Sequence, residues 1–272
     1  MRAYLIPVFL LLSFHSFAQE FRPLNPENTL LLKTSEGDVV IELAPQFAPK
    51  HAAQIKSLVR KGAYNGKSFY RVIDGFVAQG GLGDDDTIKP PTLKMEAEFS
   101  TEELNYSLVQ ENDLFAPYTA FSDGFAMAMD QEKKTAWLAH CPGTVALARG
   151  NDPDSGSADF YISIGQAPRY LDRIMTIFGR VVWGMDVVQR IKRAKPEEGG
   201  MIKAVKDRTV INEALILSYV DTSPFKKLQI EKTSGKAFAD KLQARRSRSH
   251  PFFFKKPPPV LDVCQVPLAV KQ

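Results

Sequence analysis

Cysteine is scarce in this chain, with only Cys141 and Cys264 among 272 residues. Two thiols cannot define a disulfide framework, and their spacing alone does not show that they meet, so a bridge between them stays open. Histidine is also scarce, with four residues. The neighbouring pair His140-Cys141 therefore has few partners for a metal site or for activation of a cysteine nucleophile. We interpret the pair as packed or disulfide-bonded, and we expect no metal site.

The chain also lacks an apolar run of the roughly 20 residues that a membrane-spanning helix needs. Its apolar run at 4–12 is shorter, follows Arg2, and precedes Ser16-Phe17-Ala18, which has small residues at the two positions read by a signal peptidase. This arrangement predicts a signal peptide over residues 1–18 and a periplasmic or secreted mature chain that starts at Gln19; a buried N-terminal helix is the alternative. We expect no integral membrane segment after signal removal. The residue directly after the cleavage site is Gln19 and not a cysteine, so a lipid anchor there is not indicated.

Net charge is small, +4 for the whole chain, but it is unevenly distributed. Residues 226–256 include ten basic and two acidic residues, a net charge of +8, so the remainder carries −4. Such a segment could bind nucleic acid, but an exported protein rarely meets it, and we expect no nucleic-acid partner. A solvated arm, or weak contact of the basic tail with an anionic envelope surface, is the more natural interpretation.

Hydrophobic residues make up 44% of the chain, which is enough for a full core. Short β-rich runs bounded by turn residues recur along it. Strands are predicted in 29–43 (a hairpin around Gly37), 68–81 (a hairpin around Asp74-Gly75), 144–148, 160–164, 176–181 and 209–220. One helix is predicted to start at Pro49 and end near Gly62, and another to cover 187–193. This pattern indicates a mainly β fold with a closed or nearly closed barrel.

Two regions stand apart from this pattern. Residues 82–142 form a long, mixed insertion in which few hydrophobic residues recur at clear helical or strand spacing. After residue 220 the composition changes to basic residues and prolines. We therefore expect a domain over 29–220 and an extension over 221–272. Residues 261–270 regain apolar character, which predicts that the end of the extension docks on the domain near Cys141.

The most informative segment is FYRVIDGFVAQGG at 69–81. Strand alternation predicts that Phe69 and Arg71 share one face, and the turn brings Phe76 and Gln79 back toward them. An arginine, a phenylalanine and a glutamine would then line one groove on the barrel wall. The alternative is that Arg71 is an ordinary surface residue and Phe76 belongs to the core.

This segment resembles the cyclophilin pattern Phe-His-Arg-Val-Ile-x-Gly-Phe-x-x-Gln-Gly-Gly. GTVALAR at 143–149 is similar to the family's Gly-x-x-x-Met-Ala strand, and DSGSADFYI at 154–162 to its Ser-Gln-Phe-Phe-Ile strand. Tyr170-Leu171-Asp172, then FGRV at 178–181 and GMDVV at 184–188, follow in the family's order. The resemblance covers roughly 29–220 and implies a closed antiparallel cyclophilin-like β-barrel with a long insertion and a C-terminal extension.

The resemblance also implies a peptidyl-prolyl cis/trans isomerase that assists the folding of exported polypeptides. It implies that Arg71 is the catalytic residue and that the reaction needs no cofactor. The substrate-binding residues it implies are Phe76, Gln79, Leu147, Asp159, Phe160, Tyr161, Tyr170 and Leu171. The expected partners are unfolded or partly folded proline-containing polypeptides. The alternative is a non-catalytic module that binds proline-containing segments in the same groove.

Several positions depart from the family pattern. Tyr70 replaces a His, Leu147 a Met, Arg149 an Asn, Asp159 a Gln, Tyr161 a Phe, Tyr170 a Trp and Met175 a His. Because Arg71, Phe76 and Gln79 are kept, we expect activity with altered substrate preference and poor binding of cyclosporin. Two carboxylate-rich stretches, 84–86 and 152–156, lack the bidentate Glu of a calcium loop, and we interpret them as solvated loops.

Overall fold

The computed structural model describes residues 20–83 and 87–272. The signal peptide predicted over 1–18 and the acidic stretch 84–86 lie outside the described residues. The strands are β1 Phe21–Pro23, β2 Thr29–Thr34, β3 Gly37–Leu43, β4 Ser68–Ile73, β5 Val77–Gly81, β6 Phe99–Ser100, β7 Ser107–Asp113, β8 Ala116–Ser122, β9 Phe125–Asp130, β10 Thr135–Leu138, β11 Thr144–Leu147, β12 Phe160–Ser163, β13 Ile177–Trp183, β14 Thr209–Ile216, β15 Gln229–Glu231 and β16 Val270–Lys271. The α-helices are α1 Pro49–Arg60, α2 Met185–Arg190 and α3 Lys236–Ser247.

Eight antiparallel strands close into a barrel in the order β11-β12-β5-β4-β14-β2-β3-β13. Its interior is filled by large side chains that alternate along the strands, among them Leu32, Ile41, Ile162 and Phe178. Helices α1 and α2 add apolar side chains to the same core. The predicted mainly β fold with a closed antiparallel barrel is therefore confirmed.

Helix α1 shows how local signals define an element here. It begins at Pro49, whose fixed φ suits a first helical turn, and Gly62 follows its end at φ +68°, as predicted. No side chain at its own N-terminus caps it. Instead, Glu96 from the insertion accepts hydrogen bonds from the backbone N–H groups of Lys50 and His51 and from His51 Nδ1. The insertion thus supplies the cap that the helix lacks.

The insertion forms a five-stranded antiparallel sheet in the order β6-β10-β9-β8-β7. One face covers the outside of the barrel, where Phe125 and Met127 share an apolar cluster with Phe47 and Ile177. The sequence did not predict these strands; β9, for example, consists mainly of Ala and Met and contains no β-branched residue. Packing against the barrel wall decides their conformation.

The C-terminal extension wraps around the molecule and docks on the insertion. Strand β15 pairs with β1 and β16 in a small sheet, and α3 buries Phe238 and Leu242 against Val109 and Phe121 of the insertion. The apolar end of the chain packs in the same cluster, and a disulfide joins Cys141 to Cys264. Across the described parts of the chain, no helix combines the length and apolar character needed to cross a bilayer.

Candidate active site

A β-bulge in β4 determines which side chains face the candidate groove. The pairing of β4 with β5 changes register between Phe69 and Arg71. Phe69 and Val72 both lie in the barrel core, and Tyr70 and Arg71 are left half-exposed side by side on the outer wall. The expectation that Phe69 and Arg71 share a face is wrong, because a bulge adds one residue and shifts the alternation.

The Arg71 guanidinium stands at the end of a chain of hydrogen bonds. Its Nη1 donates to Gln79 Oε1 at 3.2 Å, and Gln79 Nε2 donates to the Tyr70 hydroxyl at 2.8 Å. That hydroxyl donates to Asp159 Oδ2 at 2.9 Å, and Asp159 Oδ1 accepts from the backbone N–H of Gly83 at 2.9 Å. The chain fixes the amide of Gln79, and through it the direction of Arg71.

Asp159 can approach β5 this closely because residue 81 is glycine. Gly81 has φ +139°, and a Cβ atom there would lie 2.3 Å from Asp159 Oδ1. A larger residue would displace the carboxylate from the Tyr70 hydroxyl. The side chains at these two departures, Tyr70 and Asp159, are therefore joined by a hydrogen bond in this structure.

A row of side chains runs from Arg71 across four neighbouring strands. In the strand register, Arg71 of β4 lies opposite Gln79 of β5, and Gln79 lies opposite Tyr161 of β12. Tyr161 in turn lies opposite Ala146 of β11. Tyr161 belongs to an apolar cluster on the outer wall whose other members next to the row are Phe76, Val77, Ala148, Leu171 and Met175. The row thus places a charged donor at one end and this apolar cluster at the other, and we call the cluster the candidate pocket.

The lip of this pocket is aromatic. Tyr170 is 65% exposed, and its ring stacks on Phe76 with centroids 6.3 Å apart. Phe76 is carried by the β4–β5 turn, which lies directly against Gly165: a Cβ atom at Gly165 would stand 1.8 Å from the Gly75 carbonyl oxygen. Absence of a side chain there lets the turn hold Phe76 at the pocket.

Two residues expected to contact substrate do not face the groove. Leu147 and Phe160 are buried in the barrel core, where the Phe160 ring packs edge-on against Tyr64 and Phe69. Their placement in the pocket is wrong because strand alternation directs their neighbours outward instead. Ala146, Ala148 and Tyr161 are those neighbours. Asp159 lies in the hydrogen-bond chain behind Arg71, and Gln79 lies in the same chain. Phe76, Tyr161 and Leu171 lie in the apolar cluster, and Tyr170 stacks on Phe76 at its edge.

The floor of the pocket is tied to a buried polar chain that the sequence did not reveal. The Tyr161 hydroxyl lies 2.9 Å from His140 Nε2, and His140 Nδ1 lies 2.9 Å from Asp172 Oδ1. Asp172 Oδ2 accepts from Arg169 Nε at 2.5 Å, and Arg169 Nη2 reaches Asp113 at 3.3 Å. Burial, helped by the Asp172 charge, raises the pKa of Tyr161, which keeps its hydroxyl a donor.

Comparison with known proteins decides the family. The model of the family described as "Cyclophilin type peptidyl-prolyl cis-trans isomerase/CLD" matches residues 29–216. The chain belongs to the cyclophilin-type peptidyl-prolyl cis-trans isomerases. A "Probable peptidyl-prolyl cis-trans isomerase" of Brucella suis is 36% identical over 179 residues, 66% of this chain and 79% of the relative. A "Peptidyl-prolyl cis-trans isomerase" of Acinetobacter baylyi is 30% identical over 207 residues, 74% of this chain and 87% of the relative.

The crystal structure of the cyclophilin AquaCyp293 from Hirschia baltica is also similar. It has a TM-score of 0.73 and 29% identity, and the match covers 92% of both chains. The similarity therefore extends beyond the barrel into the additional segments. As a cyclophilin, this chain is an enzyme that isomerises X-Pro bonds, and its substrates are proline-containing peptides.

Arg149 and Met175, two other departures from the cyclophilin pattern, also make defined contacts. The Arg149 guanidinium donates to the carbonyl of Ile174 at 3.0 and 2.8 Å and to that of Gly150 at 2.8 Å. Met175 packs in the pocket cluster. Sequence reasoning missed Ala146 and Ala148, although alternation around Leu147 would have indicated them. It also discounted His140, for which no local pattern gives a signal.

Proposed function

We propose that Arg71 is the catalytic residue and that the adjoining pocket holds the prolyl ring. Rotation about an X-Pro bond must break amide conjugation, with a barrier of about 18–20 kcal/mol. In the twisted transition state the prolyl nitrogen regains a lone pair. A guanidinium beside that nitrogen donates a hydrogen bond that the planar ground state accepts less well, and this difference lowers the barrier.

The observation that carries the proposal is the hydrogen bond between Arg71 and Gln79 at the end of the pocket. A hydrogen bond from a charged donor contributes about 1.5–3 kcal/mol, which corresponds to about ten- to a hundredfold in rate. Any further acceleration must come from the pocket. Phe76, Tyr161 and Leu171 hold the ring while the chain on the other side of the bond turns, and Tyr170 offers aromatic surface at the lip.

We further propose that the enzyme acts on exported polypeptides and assists their folding in the periplasm or outside the cell. The N-terminal sequence has the order of features of a signal peptide. The disulfide between Cys141 and Cys264 suits an oxidising compartment, where such bonds persist. Mass spectrometry of the mature N-terminus tests this proposal: a chain that starts at or next to Gln19 supports it, and an intact Met1 on envelope-purified protein contradicts it.

The basic tail is proposed to touch anionic envelope surfaces. Arg245, Arg246 and Arg248 donate to backbone carbonyls, and within the described residues none of them forms an ion pair with a carboxylate. Phe252 and Phe254 nearby are 77% and 87% exposed. Cations beside exposed aromatic rings suit the interfacial zone of a membrane. Co-sedimentation with phosphatidylglycerol vesicles, but not with phosphatidylcholine vesicles, is the expected result, and equal binding to both contradicts it.

A protease-coupled assay on a proline-containing peptide tests the catalytic role. Arg71→Ala should lose most of the rate, about ten- to a hundredfold, while its melting temperature stays close to that of the wild type. Arg190→Ala is the matched control, because Arg190 is an exposed arginine of α2 that pairs with Asp186 outside the groove. Wild-type turnover by a folded Arg71→Ala variant would refute the assignment. Peptide binding without turnover by the wild type would indicate a binding module.

A further inference from the structure

The pocket floor in this enzyme carries a hydroxyl that must be satisfied. Tyr161 is 4% exposed, and its phenol group points away from solvent toward the insertion. A buried hydroxyl without a partner costs about 1–3 kcal/mol, so the ring orientation depends on whatever accepts its proton. His140, on the segment that links the insertion to β11, is within reach at 2.9 Å and is fully buried.

The partners of His140 determine which of its nitrogens accepts. Asp172 Oδ1 lies 2.9 Å from His140 Nδ1 and also accepts the backbone N–H of His140 at 2.9 Å. An ionised carboxylate can only accept, so Nδ1 carries the proton of this hydrogen bond, and in that tautomer Nε2 is the acceptor of the ring. The Tyr161 hydroxyl donates to it, and the two rings lie nearly parallel with an interplanar angle of 13°.

The same carboxylate also holds the lip of the pocket. Arg169 donates to Asp172 Oδ2, and the short 3-10 helix Arg169–Leu171 between them contains Tyr170 and Leu171. Arg169 continues to the insertion, where it bonds Asp113 and lies over the Phe115 ring at 5.2 Å. Floor and lip are therefore tied to one buried carboxylate, and both are tied to the insertion.

We propose that His140 and Asp172 are positioning residues of the prolyl pocket, which hold the Tyr161 ring and the 169–171 turn at the spacing that the prolyl ring requires. The described part of the insertion then acts as a rigid support behind the pocket. The proposal rests on the proposed function, since it assumes that this pocket receives proline. It assigns a role to two residues that do not touch the substrate.

Two substitutions at His140 separate its two hydrogen bonds. The amide of His140→Asn lies near the position of Nδ1, so it keeps a donor for Asp172 but loses the acceptor for Tyr161. The amide of His140→Gln reaches the position of Nε2, where its oxygen can accept from Tyr161. We expect His140→Asn to raise the KM for a proline-containing peptide about three- to tenfold with kcat nearly unchanged. We expect His140→Gln to restore most of the loss.

A double-mutant cycle with Tyr161→Phe completes the test. If His140 acts through the hydroxyl, Tyr161→Phe also raises KM, and adding His140→Asn to it raises KM no further. If the increases in KM of the two single variants multiply in the double variant, the proposal is overturned. Equal increases in KM for His140→Asn and His140→Gln, or an effect on kcat alone, would also overturn it. Arg71→Ala measured beside them keeps the two hypotheses apart. If Arg71→Ala retains full turnover, the proposed catalytic role fails. If Arg71→Ala is inactive but none of the His140 and Tyr161 variants changes KM, only the positioning role is contradicted.

Discussion

The two sides of the groove are held by hydrogen-bond chains of similar chemistry but different burial. Each chain contains a tyrosine hydroxyl and an aspartate. On the Arg71 side, Tyr70 and Asp159 are half-exposed and lie on or next to barrel strands. On the pocket side, His140 is 0% and Arg169 4% exposed, and the residues come from the insertion and from the loop before β13.

This difference in burial separates two roles. Water can replace a lost partner in the half-exposed chain, so that chain mainly directs the Arg71 guanidinium. In the buried chain every donor and acceptor needs its partner, because an unmatched buried group costs far more than the bond itself contributes. The pocket side should therefore dominate stability, and the Arg71 side should dominate rate.

The sharpest test of this difference is Asp172→Ala. The substitution removes the acceptor of the His140 N–H groups and of Arg169, and leaves Asp113 as the remaining carboxylate partner of the buried Arg169 charge among the described residues. Breaking a buried pair in this way costs about 3–5 kcal/mol of unfolding free energy, measured by urea denaturation. Asp186→Ala, which removes an exposed carboxylate paired with Arg190, is the control and should unfold like the wild type. Equal stability of the two variants would show that the pocket-side chain adds nothing.

The second test removes the disulfide next to the buried chain. Cys264→Ser removes the bridge between two residues that are 123 positions apart in the sequence. It also releases Cys141, the residue that follows His140. We expect a loss of about 2–4 kcal/mol in unfolding free energy, since the bridge limits the unfolded chain. Reduction of the wild type should lower its melting temperature to that of Cys264→Ser and should leave the variant unchanged. Insensitivity of the wild type to reductant would contradict the expectation.

The third test addresses the Arg71 side. Tyr70→Phe removes the hydroxyl that links Gln79 to Asp159, so Gln79 no longer holds Arg71 in one direction. We expect kcat/KM to fall about three- to tenfold, with a stability loss near 1 kcal/mol or less. Tyr219→Phe is the matched control, because Tyr219 is 62% exposed and lies outside the groove. A large loss of stability without loss of rate would reverse the assignment of roles to the two sides.

The smallest expected effect concerns pH. His51 is a second buried histidine, and burial lowers its pKa below 6.5 despite the hydrogen bond to Glu96. The folded state then binds fewer protons than the unfolded state, so His51 reduces stability as the pH falls below about 6.5. His51→Asn keeps a donor for Glu96 and cannot titrate. The wild type should lose more stability than this variant between about pH 8 and pH 5 in denaturation curves, and parallel pH profiles would contradict the assignment to His51.

Much of the frame could be predicted from local sequence. Pro49 and Gly62 bound α1, the hairpin around Gly37 joins β2 and β3, and the segment 69–81 supplies the row that contains Arg71 and Gln79. These features depend on residues close in sequence, where backbone preferences and alternation act directly. They sufficed for the barrel and for the family resemblance.

Tertiary structure decided what lies between distant segments. The bulge at Tyr70 reversed the face of Arg71, and the barrel core took Leu147 and Phe160 away from the pocket. Cys141 and Cys264 meet because the extension folds back onto the insertion. His140 finds its partners Tyr161 and Asp172 21 and 32 positions away along the chain. Local sequence preferences determined the barrel strands and α1, whereas packing of distant segments determined the insertion strands and which polar groups are buried together, because burial is a property of the assembled fold.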